Sequence, residues 1–182
     1  MHIIKGPNRD PTPSTCSVTR DGRVTTLAGC KEAGFADGPG EDARFEKPAG
    51  LALDKNGDLL VADSLNHAIR KVTLCSSNTA RGSVSTIAGN GQAGFSDGHG
   101  QEARFNQPAA VALNKDGSLL LADDNNHAIR MLSPDGVVTT VAGSGERGFA
   151  DGEGAAVKFN GPEGVAVDTY NNILVSDWVW RP

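Results

Sequence analysis

The hydrophobic positions of the chain fall into short runs whose two sides are both apolar. In residues 50–53 the sequence Gly-Leu-Ala-Leu places leucines on one side and small residues on the other, and this alternation returns at residues 110–113 and 164–167. A strand with one face in water alternates apolar and polar residues, so these strands are expected to be covered on both faces. No stretch shows convincing helical spacing, so the pattern predicts an all-β protein.

Three parts of the chain repeat one another almost residue for residue. The segment Val-Thr-Thr-Leu-Ala-Gly at residues 24–29 returns in closely similar form at residues 84–89 and 138–143, at spacings of 60 and 54 residues. The difference between the two spacings falls within one inserted loop, residues 76–82. Such a period indicates a repeat architecture in which each copy forms one supersecondary unit. The repeat units therefore begin near residues 24, 84 and 138.

Each repeat is predicted to contain four strands. Residues 50–53 and 59–62 form a hairpin around an Asn-Gly turn, which tolerates positive φ. Residues 69–72 supply the third strand, and the segment of the type seen at residues 24–29 supplies the fourth. Sheets of four strands that are covered on both faces by their neighbours are typical of the β-propeller. The predicted fold is therefore a partial propeller with blades of four antiparallel strands.

An Asn-His-Ala motif marks the two complete repeats, at residues 66–68 and 126–128. An Ala-Asp pair precedes the motif in both copies, and a Pro-x-Gly-Leu-Ala-Leu-Asp segment begins at Pro48. In these motifs the chain resembles the NHL-repeat family, and the resemblance covers nearly all of residues 24–177. It implies four-stranded blades in a propeller that most often has six of them, of which this chain carries just under three.

The third copy departs from the family pattern after Asp177. The family would continue toward Asn-His-x-Ile-Arg, whereas this chain continues with Trp178 and ends at Pro182. We therefore expect either a fragment of a larger protein or self-association that completes a ring, because an open stack of blades leaves strand edges exposed.

The repeats are predicted to occupy residues 16–182, after a linker or disordered lead-in at residues 1–15. The lead-in holds three prolines and has no apolar core typical of a signal peptide or a membrane span, so the compartment stays open. The cysteines form no CxxC pair and share no position in the repeat, so neither a disulfide framework nor a zinc site is expected. They are Cys16, Cys30 and Cys75.

Residues that recur in the repeats are expected to have structural roles, such as hydrogen bonding between strands, because an active site needs a single asymmetric constellation. The expected structural set is Asp63, Asn66, His67, Arg70, Asp123, Asn126, His127, Arg130 and Asp177.

Each repeat also has a long connection of the type found at residues 29–48, which exceeds hairpin length. It carries one carboxylate among glycines, at Asp37, Asp97 and Asp151. A cation precedes the phenylalanine that is expected to plug the core, in the pairs Arg44-Phe45, Arg104-Phe105 and Lys158-Phe159. We expect these cations to form salt bridges with the carboxylates; an anion-binding ring is the alternative. No calcium-loop motif is present, so no metal site is predicted.

A binding surface is sought where the copies differ. The candidate residues are Lys31, Glu32, Gln92, His99, Glu146, Arg147 and Glu153.

The charge balance of the chain argues against binding to nucleic acid. With 17 Lys and Arg against 22 Asp and Glu, the net charge is −5, which does not suggest the basic face that nucleic acid requires. No catalytic motif occurs, and no catalytic or cofactor-binding residue is predicted. The sequence favours a non-catalytic module that binds a protein, peptide or glycan, with a protein or peptide preferred. The alternatives are an enzyme that resembles propeller lactonases or amidating lyases with an axial metal, and an RNA-binding NHL propeller.

Overall fold

The computed structural model describes residues 13–74 and 82–178. In these residues the chain forms fourteen strands in four antiparallel sheets, joined by turns and short 3-10 segments. The first sheet contains β1 (Thr15–Val18) and β2 (Val24–Ala28). The second contains β3 (Gly38–Pro39), β4 (Pro48–Leu53), β5 (Leu59–Asp63), β6 (Ala68–Thr73) and β7 (Ser83–Ala88). The third contains β8 (Gly98–His99), β9 (Pro108–Leu113), β10 (Leu119–Asp123), β11 (Ala128–Leu132) and β12 (Val137–Ala142). The fourth contains β13 (Pro162–Val167) and β14 (Ile173–Asp177).

The second and third sheets are two complete blades. Their strand orders are β3-β7-β6-β5-β4 and β8-β12-β11-β10-β9, so the four long strands of each repeat lie side by side in chain order. The prediction of an all-β fold with four-stranded antiparallel blades is confirmed. A two-residue strand, β3 or β8, adds an outer edge to each blade, and this edge was not predicted because two residues carry no recognisable alternation.

The first and fourth sheets are half-blades that contain different strands of the repeat. Cys16 pairs with Thr26 in β2 just as Arg70 pairs with Thr86 in β7, and an irregularity in register directly precedes both Cys16 and Arg70. The N-terminal half-blade therefore supplies the third and fourth strands of a repeat. The C-terminal half-blade, β13 and β14, supplies the first and second. Thr15 lies in β1, although the sequence placed it in the lead-in.

Most of that lead-in, residues 1–12, and most of the inserted loop, residues 75–81, lie outside the described residues. Cys75 lies there too, whereas Cys16 and Cys30 are free thiols. No helix in the described ranges is long and apolar enough to cross a membrane.

The blades stack through small residues on one face and large ones on the other. A Cβ atom added to Gly50 in β4 would lie 2.6 Å from the Cα of Ala110 in β9, so only glycine allows this approach between neighbouring blades. Phe45 and Phe105, the predicted core plugs of the complete blades, are fully buried. Phe105 joins residues of both complete blades in one core, which ties the two sheets together.

We expect Phe105→Ala to lower the free energy of unfolding by about 3–5 kcal/mol, because the change empties a site between two blades. Phe149→Ala is the matched control, since Phe149 is largely exposed and its loss should cost less than ~1 kcal/mol. Urea titration followed by circular dichroism measures both. Equal losses in the two variants would contradict the assignment of Phe105 to the core.

Candidate binding site

The signature arginine of each complete blade lies inside the blade. The guanidinium of Arg70 is fully buried and donates to the Asp63 carboxylate at 2.7 Å and to the Asp37 carboxylate at 2.6 Å. It also donates to the backbone carbonyls of Ala36 and Arg44. Arg130 makes the equivalent contacts in the next blade, with Asp123, Asp97, Ser96 and Arg104. The arginine therefore fastens the long connection to the second strand.

Aromatic rings complete the surroundings of each arginine. The guanidinium carbon of Arg70 lies 4.9 Å from the ring centre of Phe35 and 5.1 Å from that of Phe45. Arg130 lies in the same way between Phe95 and Phe105. A guanidinium between aromatic faces gains cation–π attraction while its edge stays free for hydrogen bonds. We call this set of carboxylates, carbonyls and rings the arginine socket.

The inner carboxylate of each socket, Asp63 or Asp123, accepts hydrogen bonds from several groups. Asp63 accepts the N–H of Glu46 at 2.7 Å and the side-chain amide of Asn66 at 2.8 Å, in addition to the arginine. Burial nevertheless raises the pKa of Asp63 to about 6, because desolvation outweighs these favourable contacts. Burial likewise raises the pKa of Asp123 to about 6.

This arrangement corrects one prediction. Asp37, Asp97 and Asp151 were expected to pair with Arg44, Arg104 and Lys158. Lys158 pairs with Glu146, and Asp37 and Asp97 bind the buried arginines instead. Each of them also accepts the backbone N–H of a threonine in the fourth strand. A buried guanidinium must find its counter-charge inside the protein, whereas an exposed cation can remain in water.

The cations that precede the core phenylalanines pair with a different part of the long connection. Arg44 lies 2.8 Å from Glu32, and Lys158 lies 2.7 Å from Glu146. Arg104 donates to the side-chain oxygen of Gln92 at 2.6 Å. These exposed pairs occupy equivalent positions in successive repeats, so they form a row along the surface of the long connections.

The candidate surface residues divide into two groups. The first group contains exposed residues of the long connections: Glu32, Gln92 and Glu146, which belong to this row, and their sequence neighbours Lys31 and Arg147. His99 and Glu153 lie away from them. His99 belongs to the outer strand β8, and its Nε2 lies 2.9 Å from the carbonyl of Asp135. The residues of the first group thus lie on equivalent loops of successive repeats, whereas His99 lies at the edge of its blade.

A polar cavity of about 410 Å³ lies between the second complete blade and the C-terminal half-blade. Its lining includes Asp124, His127, Arg147, Asn160, Glu163 and Trp178. Of these lining residues, only Arg147 was predicted from the sequence to belong to a binding surface. His127 was predicted to have a structural role.

The equivalent position between the two complete blades is differently built. There the backbone N–H of Gln107 donates to Nδ1 of His67 at 3.1 Å, which places the imidazole proton of neutral His67 on Nε2. In the polar cavity, Nδ1 of His127 is buried and has no hydrogen-bond partner among the described residues. Gly161 takes the place of Gln107 in this repeat. The cavity therefore contains a buried polar atom without a partner, whereas the equivalent atom at the other junction accepts a hydrogen bond from the backbone.

The charged side chains of the cavity are also specific to this junction. Asp124, Arg147 and Glu163 stand where the preceding repeat has Ser64, Ala93 and Ala109. Burial raises the pKa of the Asp124 carboxyl, and the neighbouring negative charge of Glu163 acts in the same direction. Asp124 and Glu163 both break the repeat, so the sequence carries a signal for them. Asp124 lies in a 3-10 segment and Glu163 in β13, outside the loops to which the predicted binding surface was assigned.

A larger groove of about 510 Å³ lies between the two complete blades, and it differs in character. Aliphatic side chains of both blades, among them Leu60, Ile87, Leu113 and Leu132, form much of its wall. None of the described buried polar atoms that lack a partner lies in it. In the described ranges, no three His, Cys, Asp or Glu residues gather in a way that could hold a metal ion.

The stacked four-stranded sheets define the class of the protein, a β-propeller. The NHL repeat model matches residues 45–72 and 105–131, which contain the core phenylalanine, the first two strands and most of the third strand of each complete blade. The chain therefore carries NHL repeats, as its motifs predicted.

Two relatives share this similarity over part of their length. The chain is 35% identical over 99 residues to the protein SUPPRESSOR OF QUENCHING 1, chloroplastic, of Arabidopsis thaliana. It is 36% identical over 123 residues to NHL repeat-containing protein 2 of Bos taurus. The matches cover 54% and 62% of this chain, but only 9% of the plant protein and 16% of the bovine one.

Solved structures with the same fold include an auxiliary nutrient binding protein from Bacteroides ovatus. It is 25% identical, with a TM-score of 0.64, over 75% of this chain and 36% of that chain. Virginiamycin B lyase from Staphylococcus aureus is 13% identical, with a TM-score of 0.55, over 93% of this chain and 44% of that chain. The second likeness concerns the fold alone.

The raised pKa values of Asp63 and Asp123 predict the direction of a pH effect on stability. In the unfolded chain these carboxyls titrate near pH ~3.9, and in the folded protein near 6. Their contribution is therefore fully present below pH ~4 and is lost as the pH rises through 6. We expect the double variant Asp63→Asn, Asp123→Asn to lose less unfolding free energy between pH 4 and pH 6 than the natural chain does.

Denaturant titrations at intervals across this pH range measure the difference. Glu153→Gln is the control, because its side chain is exposed and should leave the pH profile unchanged. Parallel profiles for the double variant and the natural chain would contradict the assignment.

Proposed function

We propose that the chain is a non-catalytic interaction module that binds a protein or peptide on the surface of its long connections, with the polar cavity as the anchoring point. The observation that carries this proposal is the buried, unpartnered Nδ1 of His127 beside Asp124, Arg147 and Glu163. A buried polar atom without a partner costs free energy. A ligand group that donates a hydrogen bond to it would therefore bind with a more favourable free energy.

The chemistry of the cavity suits a polypeptide ligand. It combines a guanidinium, two carboxylates and an imidazole with Trp178, which is largely exposed. Arginine and tryptophan are enriched among the residues that dominate protein interfaces. A peptide offers backbone N–H and carbonyl groups together with charged side chains, so it can meet both charge signs in one small volume.

The surroundings of the cavity extend the contact. The row of exposed pairs, Glu32 with Arg44, Gln92 with Arg104 and Glu146 with Lys158, continues from the cavity over the preceding repeats. Loops held on a rigid scaffold commonly carry binding residues. The similarity to the auxiliary nutrient binding protein from Bacteroides ovatus, which is 25% identical, supports a binding role for this chain.

The proposal predicts that peptides selected on the purified chain depend on the cavity. Peptides from a phage-displayed library are enriched on the natural chain and then titrated against Arg147→Ala and Glu163→Ala by fluorescence polarisation. We expect affinity to fall roughly ten-fold or more in each variant, a loss of about 1.4 kcal/mol, because each removes a charged contact.

The matched control is Arg20→Ala, which removes the same residue type as Arg147→Ala from an exposed position outside both the cavity and the long connections. It should bind the selected peptides as the natural chain does. Selection that yields only peptides insensitive to the two cavity variants would refute the site.

A further inference from the structure

The polar cavity differs from the equivalent junction between the two complete blades at four side chains. The cavity residues and their counterparts are Asp124 and Ser64, Arg147 and Ala93, Gly161 and Gln107, and Glu163 and Ala109. All four cavity residues lie before the end of β14, in parts of the repeat that both junctions contain. The difference between the junctions is therefore one of amino-acid side chains, and it does not depend on where the chain ends.

Two of these side chains are carboxylates without a counter-charge. Neither Asp124 nor Glu163 forms an ion pair or a side-chain hydrogen bond in the described part of the chain. Burial, and then the negative charge of Glu163, raise the pKa of the Asp124 carboxyl, so the two groups are close enough to repel each other. A cation bound between them would relieve this repulsion, because an opposite charge favours the ionised carboxylate.

Gly161 leaves room beside one of these carboxylates. Its φ is 89°, and a Cβ atom added to it would lie 2.9 Å from Oδ1 of Asp124. At the other junction its counterpart Gln107 has a side chain, and the N–H of Gln107 donates to Nδ1 of His67. Nδ1 of His127 has no such donor among the described residues. The junction with the glycine therefore combines free space, a carboxylate and an imidazole acceptor without a partner.

The guanidinium of Arg147 adds a hydrogen-bond donor to the same cavity. Its Nε donates to Oδ1 of Asn160, which orients the group. Its terminal nitrogens have no partner among the residues that the structure describes. Since a guanidinium presents several N–H groups in a fixed plane, these nitrogens can donate to an oxygen of a ligand.

We infer that the cavity binds the free N-terminus of a polypeptide. The α-ammonium group donates to Asp124, Glu163 and Nδ1 of His127, and the first backbone carbonyl accepts a hydrogen bond from Arg147. An ammonium has three N–H donors, one for each of these acceptors. The carbonyl is attached to the carbon that bears the ammonium, so both groups fit within about 410 Å³. Capture of an N-terminal amine is an established mode of peptide recognition.

This inference rests on the proposed function, and it names the part of the peptide that the cavity holds. A lysine side chain also ends in an ammonium, but methylene groups adjoin it and give Arg147 no oxygen to bind. A free amino acid carries a carboxylate as well and is neutral overall. The cavity has two carboxylates and one guanidinium, a net charge of −1 with His127 neutral, which favours a ligand group of charge +1.

The test compares one short peptide in free and blocked form. The probe is Phe-Ala-Ser-Gly-Ser-Cys amide with fluorescein on its cysteine, and its first side chain can contact Trp178, which is 59% exposed in the cavity wall. Fluorescence polarisation with the full 182-residue chain is expected to show saturable binding. The Nα-acetylated form should bind at least roughly ten-fold more weakly, because acetylation removes the charge and two of the three donors.

Two further ligands test the alternatives. An Nα-acetylated peptide with lysine in place of its phenylalanine should bind as weakly as the acetylated probe. Unlabelled phenylalanine should compete with the free probe at least roughly ten-fold less well than the unlabelled peptide does, because its carboxylate meets the carboxylates of the cavity.

Variants of the chain connect this preference to the cavity. Asp124→Ser introduces the residue that the chain itself has at the equivalent position, Ser64, so the fold should be retained. We expect this variant to bind the free probe roughly ten-fold more weakly and to lose the preference for the free over the acetylated form. Glu163→Gln should have the same effect. Asp135→Asn, an exposed position outside the cavity, should leave both affinities unchanged.

The outcomes separate this inference from the proposed function. Equal binding of the free and acetylated probes, both weakened by Asp124→Ser, would show a peptide site that does not read the N-terminus. Equal binding of the lysine peptide and the free probe would assign the cavity to a side-chain ammonium. Either result, or no binding of the free probe, overturns the inference. The proposed function fails separately, if peptides selected from the library do not depend on the cavity.

Discussion

A guanidinium group taken out of water keeps its charge, so the protein around it must supply both counter-charge and hydrogen-bond acceptors. Arg70 and Arg130 each contact two carboxylates and two backbone carbonyls. Nε of Arg70 also donates to Asp37, whereas Nε of Arg130 has no partner among the described residues. One carboxylate belongs to the second strand and the other to the long connection, while the arginine itself lies on the third strand. A single side chain therefore fixes the relative positions of three parts of a blade.

The same requirement shapes the outer surface. Because Asp37 and Asp97 turn inward to the arginines, the exposed cations Arg44 and Arg104 are left to pair with side chains farther along the connection. Exposed pairs of this kind contribute little stability, so they can be replaced from repeat to repeat at small cost. The interior of each blade is thus constrained, and the surface of the long connections is free to vary.

The strands and hairpins could be predicted because their signals are local. Short runs that are apolar on both sides and are separated by turns with positive φ are typical of covered β-strands. Because the repeat returns, the same strand pattern can be recognised in more than one copy. The pairing of carboxylates could not be predicted in the same way, since Arg44 and Arg70 are both cations near Asp37 in the repeat, and only packing decides which is buried. The polar cavity was missed because Asp124, Arg147 and Glu163 are distant in sequence and meet only when two sheets stack.

Repetition also provides an internal reference for locating function. Where a group is satisfied in one copy and unsatisfied in another, the difference cannot be a requirement of the fold, because the satisfied copy shows how the fold meets it. His67 and His127 form such a pair. Unsatisfied hydrogen-bonding groups and exposed aromatic rings are the places where a ligand can gain free energy by contact. This difference lies at the junction with the C-terminal half-blade, where Asp124, Arg147 and Glu163 also depart from the repeat, so binding is expected at that junction and not where the repeat is most regular.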